Sequence, residues 1–138
     1  MLGGSFLNTT VYDVVLPDGE IVDRQPPQAP RYSFNGLARK TWEVAGLALT
    51  AQADFRYLAP FYSSVSNAPD TYVPGAGIAG ALVGVGSLDG TWDFSVRVNN
   101  MFNRDVLQLA YDLSGFGVTE QVYAPPRWIS GEFTYRWK

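Results

Sequence analysis

"TWDFSVRVNNMFN", residues 91–103, reads as two interleaved sequences. Trp92, Phe94, Val96, Val98 and Phe102 fall on one parity, and Asp93, Ser95, Arg97 and Asn99 on the other. Successive side chains of a strand point to opposite faces, so the stretch predicts a β-strand with one apolar and one polar face. Two environments suit such a strand. In a water-soluble sandwich the apolar face turns inward onto a core. In an outer-membrane barrel it turns outward to lipid.

The same alternation recurs along the chain. Over 31–42, Tyr32, Phe34, Ala38 and Trp42 oppose Arg31, Ser33, Asn35, Arg39 and Thr41, with Lys40 the exception on the apolar parity. Over 46–57, Leu47, Leu49, Ala51, Ala53, Phe55 and Tyr57 oppose Thr50, Gln52, Asp54 and Arg56. Over 128–137, Ile129, Phe133, Tyr135 and Trp137 oppose Ser130, Glu132, Thr134 and Arg136. Segments 2–12 and 75–87 fit more weakly, which brings the expected strands to about six, with no helix. Tight turns are expected at 43–45 and 88–90, the second carrying the hairpin signal Asp89-Gly90. The other connections, 13–30, 58–74 and 103–127, are long and carry Pro17, Pro26, Pro27, Pro30, Pro60, Pro69, Pro125 and Pro126. Short turns at one end and long loops at the other is the layout of an outer-membrane barrel.

Aromatic spacing favours the lipid-facing reading. Trp42, Trp92 and Trp137 gather near the turn end on apolar parities, and Tyr32, Tyr57 and Phe102 near the loop end. Tyr32 to Trp42, Leu47 to Tyr57, and Trp92 to Phe102 each span ten steps. At about 3.3 Å per step and about 45° of tilt, that is roughly 23 Å along a membrane normal. The apolar band of such barrels is about 25 Å tall, with aromatic girdles at both interfaces. These six aromatics are therefore the candidate lipid-facing girdle. The opposite parity sends Arg39, Asp54, Arg56, Arg97, Glu132 and Arg136 inward, as a wet or plugged lumen allows. The expected fold is all-β: an antiparallel up-and-down transmembrane β-barrel segment of about six strands, an incomplete barrel, since single-chain barrels begin at about eight. The alternative is a soluble ligand-binding β-sandwich or lipocalin-like barrel, with Arg39, Asp54 and Arg97 on its surface and Phe94 and Val96 in its core.

Composition narrows the function. The chain has 138 residues, enough for one domain. Its net charge of −3 argues against a nucleic-acid partner, which would want clustered Lys and Arg. It has no Cys and no His, which removes thiolate metal sites, disulfides and Ser-His-Asp nucleophile activation. No catalytic pair, metal site or cofactor site is recognisable, and no enzyme is expected. "GAGIAG", 75–80, matches a dinucleotide fingerprint. A Pro-bearing loop precedes it and the glycine-broken "ALVGVG" follows, so a small-residue strand is expected there instead. Tyr12, Tyr62, Tyr72, Tyr111 and Tyr123 lie in or near the long loops and could stack on a ligand.

Three stretches also resemble a family. "APRYSFNGLARKTW" (29–42), "WDFSVRVNNMFNRD" (92–105) and "APPRWISGEFTYRW" (124–137) look like C-terminal barrel strands of TonB-dependent outer-membrane receptors. The family's Pro-Arg pair before a descending strand is matched by Pro30-Arg31 and Pro126-Arg127. Its Asn-Leu-Phe-Asp motif is matched by Asn100-Met101-Phe102-Asn103, and its terminal aromatic by Trp137, with Lys138 following. The resemblance implies that Phe133, Tyr135 and Trp137 form the C-terminal assembly signal. It implies that residues 1–138 are the C-terminal portion of a receptor barrel, with the plug domain absent. It further implies a place in the bacterial outer membrane, in contact with its lipid, and TonB-energised uptake of a scarce small molecule such as a ferric siderophore. The partners would be the receptor's own plug domain and TonB–ExbB–ExbD, reached through a missing N-terminal region.

Overall fold

The computed structural model describes residues 1–137, and Lys138 lies outside them. Among the described residues there is no α-helix, only the 3-10 turns Pro69–Thr71 and Ser114–Phe116. The strands in chain order are β1 (Leu2–Phe6), β2 (Val11–Val15), β3 (Ile21–Arg24), β4 (Tyr32–Val44), β5 (Leu47–Leu58) and β6 (Phe61–Tyr62), followed by β7 (Tyr72–Val73), β8 (Ala76–Ser87), β9 (Trp92–Asn99), β10 (Leu107–Leu113), β11 (Val118–Tyr123) and β12 (Trp128–Tyr135). Six of them make one antiparallel sheet in the order β1-β4-β5-β8-β9-β12. The sheet is open, with β1 and β12 as its edges, and does not close into a barrel.

Register carries the sequence parity across all five ladders. Phe34 faces Tyr57, Trp42 faces Leu49, and Leu49 faces Val85. Val85 in turn faces Phe94, and Phe94 faces Phe133. Cross-strand partners share a face, so one side of the sheet is apolar from β1 to β12. Among the described residues nothing covers that side. Phe34, Phe55, Phe94 and Phe133 are each 43–65% exposed, and Val83 is 63% exposed. The rings of 92, 94, 133 and 137 do not meet in a core.

Burial is concentrated at the other end of the chain's architecture, among the long connections. Phe61, Val73 and Ala110 pack together with Leu107. The three long connections are not plain loops: each contains a hairpin, β2–β3, β6–β7 or β10–β11. Side chains and backbone tie these segments to one another. The Ala110 amide donates to Ser63 Oγ at 3.1 Å, and the Gln28 amide to Tyr62 O at 2.8 Å. Gln25 and Asn67 exchange two bonds, Gln25 N to Asn67 Oδ1 at 2.8 Å and Asn67 Nδ2 to Gln25 O at 3.0 Å.

Several boundaries differ from the sequence expectation. The first turn is Ala45-Gly46, with Val44 paired directly to Leu47, rather than 43–45. The segment 2–12 is split, β1 ending at Phe6 and β2 starting at Val11. β9 ends at Asn99, so Phe102 lies beyond the strand and not at its tenth step. There Asn100 takes a left-handed φ of 49°, and the Met101 amide, not that of Asn100, donates to Ala79 O. Trp137 likewise follows the end of β12, where its ring meets Tyr135 edge-on at 5.1 Å.

Candidate functional site

The second face of the sheet gathers the ionic side chains. Register places Arg39 opposite Gln52, Arg56 opposite Asn35 and Ile78, and Arg97 opposite Leu82 and Ser130. Glu132 is opposite Ser95, and Asp54 opposite Leu37 and Gly80. Arg136 continues the parity of Glu132 and Thr134. All six residues singled out in the sequence for an enclosed space therefore share one face.

Two ion pairs organise that face among the described residues. Arg97 Nη2 donates to Asp54 Oδ1 at 2.7 Å, reaching from β9 to β5 across the intervening β8. It can do so because the residue beneath is Gly80. A Cβ there would lie 2.9 Å from Asp54 Oδ2 and 3.1 Å from Val98 O. Gln52 Nε2 also donates to Asp54 Oδ1, and Arg97 Nε donates to Asn99 Oδ1 at 3.0 Å. Nearer the turns, Arg136 Nη1 donates to Asp93 Oδ2 and to Gly90 O, each at 2.9 Å. Arg39, Arg56 and Glu132 join neither pair.

At the loop end this face borders two hollows. The first, about 350 Å³, is lined by Asp54, Arg56, Arg97, Asn99, Asn100 and Trp128 among others. Asn99 Nδ2 is buried there without a hydrogen-bond partner. The second, about 240 Å³, is more apolar and lies between Phe61, Val73, Val106 and Leu107, with Arg56 and Ile78 shared by both. Arg56 thus stands between a polar and an apolar recess under the packed hairpins. Among the described residues no cluster of three or more acidic side chains is placed to hold a metal ion.

Four of the six girdle candidates, Tyr32, Trp42, Tyr57 and Trp92, lie on the opposite face. Tyr32 and Tyr57 stack at the loop end, centroids 6.1 Å apart and 18° between planes. Trp42, at the turn end, carries Lys40 Nζ 5.4 Å from its ring centroid. Trp92 shares its row with Tyr135. Phe102 and Trp137 are exposed beyond their strands. Phe133 and Tyr135 are on the apolar face of the β12 edge.

The loop tyrosines do not converge. Tyr62 and Tyr72 meet edge-on at 5.4 Å, while Tyr12, Tyr111 and Tyr123 are exposed. Asn100, named in the sequence only as part of a motif, is buried. Its Nδ2 donates to Arg104 O and Pro125 O, and its Oδ1 accepts from the Arg104 amide. Asn103 Oδ1 accepts from the Arg127 amide. The "NNMFN" stretch therefore staples the end of β9 to the start of β12. The signal was a pair of asparagines, the residue type that tolerates positive φ and bonds its own neighbourhood.

Comparison with protein-family models, with curated proteins and with solved structures returned no match.

Proposed function

We propose that this chain forms wall of an outer-membrane β-barrel of the TonB-dependent receptor kind, serving uptake of a scarce nutrient, which its resemblance makes a ferric siderophore. It breaks no bond and is no enzyme. One observation carries the reading: an apolar face continuous over six strands and left uncovered, backed by a face holding the ionic groups. In water such a face is a liability, since monomeric soluble proteins rarely expose contiguous apolar patches beyond a few hundred Å². In hydrocarbon it is the required surface. Strand length agrees: the 13 residues of β4 at about 3.3 Å each and about 45° of tilt rise roughly 30 Å, the thickness of a bilayer core. The edges, β1 and β12, would pair with further strands, as every backbone group in a bilayer must be satisfied. The hairpin-bearing connections would stand outside, above a lumen lined by Asp54, Arg56 and Arg97.

Cysteine labelling tests the assignment of faces. The full chain, refolded into phosphatidylcholine vesicles, is given Phe94→Cys or Ser95→Cys, adjacent residues on opposite faces. A charged maleimide is expected to label position 95 and to spare position 94 until detergent is added. Free labelling at 94 in intact vesicles overturns the reading. So does a monodisperse monomer in plain buffer with 94 protected.

A further inference from the structure

One ionic side chain is on the wrong face. Of the residues paired in the five ladders, Lys40 is the single charged one at an apolar-face position, in a row with Ala51 and Val83. Its neighbours towards the turn end are Trp42, Leu49 and Val85. Towards the loop end the next row is Ala38, Ala53 and Ala81, and the one after it Gly36, Phe55 and Ala79. Gly36, Ala38, Ala53 and Ala79 floor a hollow of about 530 Å³, walled by Leu2, Phe55, Met101 and Phe102 and almost wholly apolar. The Phe55 ring lies over Gly36, so one end of the hollow is fixed by a cross-strand aromatic. The ammonium of Lys40 is directed the other way, to the face of the Trp42 ring at 5.4 Å.

A lysine facing lipid is costly at the midplane and cheap near the interface. Here it is held at the level of an aromatic that seeks the interface, on the side of the sheet where the tight turns lie. From this we infer a binding site for one anionic phospholipid of the leaflet at the turn end: its phosphate on Lys40 beside Trp42, its acyl chain along the alanine floor into the apolar hollow. Charge complementarity selects this occupant. A zwitterionic lipid brings a second cation to the same place, and an apolar protein partner leaves the ammonium unpaired. The inference rests on the membrane reading above and adds to it a specific lipid.

Tryptophan quenching tests it. A chain keeping Trp42 as its sole tryptophan (Trp92→Phe, Trp128→Phe, Trp137→Phe) is placed in phosphatidylcholine vesicles. A brominated lipid is the minor component, either phosphatidylglycerol or phosphatidylcholine. Brominated phosphatidylglycerol is expected to be enriched at Trp42 about fivefold over its zwitterionic counterpart, the preference of a single lysine near an anionic surface. Lys40→Gln should abolish that preference and Lys40→Arg keep it. Equal quenching by the two lipids overturns the lipid site and leaves the membrane reading standing. Quenching by neither overturns both. Because the triple replacement can impair folding, the unaltered full chain supplies a second measurement. Released from mixed phosphatidylglycerol–phosphatidylcholine nanodiscs into a mass spectrometer, it should retain phosphatidylglycerol, and Lys40→Gln should not. Equal retention by both chains overturns the site.

Discussion

Ala45 and Gly46 have φ of 52° and 81°, and they alone link Val44 to Leu47. Both central residues are left-handed, as a type I′ turn requires. Gly46 adopts that conformation freely and Ala45 does not, since its Cβ crowds the backbone there. Asparagine tolerates it, so Ala45→Asn should stabilise the hairpin by up to ~1 kcal/mol, read as a higher urea midpoint for the chain folded in detergent micelles. Gly80 poses the opposite case. Its missing side chain is the space through which Asp54 meets Arg97. Gly80→Ala should cost about 1–3 kcal/mol by overpacking against Val98 O and the carboxylate. Asp54→Asn should then cost less in the Gly80→Ala background than alone, because the pair is already displaced. Additive losses in that double-mutant cycle would show that the two do not act through one contact.

At the scale of the strand, the two faces make different demands on a charge. Ala53, on the apolar side of β5 in a row with Ala38 and Ala81, is exposed and lies midway along the strand. Thr50, on the ionic side of β5, borders a hollow of about 280 Å³ with Arg39, Asp93 and Glu132. Ala53→Lys should cost about 2–4 kcal/mol in a bilayer, and Thr50→Lys close to nothing. Urea titrations of the two variants in vesicles give the comparison, and equal costs would deny the difference between faces. Strand parity is also what made the fold legible in the sequence. β4, β5, β9 and β12 alternate openly because each has one wet face and one greasy one. β8 hides its pattern for a physical reason: where polar residues were sought, it has Gly80, Gly84 and Gly86, and the first lies beneath an ion pair. The loop hairpins were not legible, for two reasons: β2–β3 turns locally on Pro17-Asp18-Gly19, with Gly19 at φ 86° and its amide donating to Leu16 O, inside a stretch that reads as loop, whereas β6–β7 and β10–β11 pack on each other. They depend on bonds such as Ala110 N to Ser63 Oγ, 47 residues apart. The ionic face could be read residue by residue, but its pairings and the staple formed by Asn100 required the register.

At the scale of the whole molecule, the open sheet has two unpaired edges. Along β12 the direction of each amide follows from one bond. The Arg136 amide donates to Thr91 O on the β9 side, and amides of an antiparallel strand alternate in direction. Those of Ser130, Glu132 and Thr134 therefore also face β9, and those of Ile129, Gly131 and Phe133 face outward. An edge of this kind, apolar on one side, is a template for another strand. In plain buffer the chain should add copies edge to edge and aggregate. Proline separates the two directions, since it removes one amide donor and is tolerated in a sheet only where that donor is unused. Gly131→Pro removes an outward amide and should slow the rise in light scattering when the chain is diluted out of detergent, with little loss of folded protein in micelles. Ser130→Pro removes an amide used by β9 and should lower the urea midpoint in micelles and hasten aggregation. If Gly131→Pro aggregates as fast as the unaltered chain, the free β12 edge is not the growing one, and the uncovered apolar face alone drives the association.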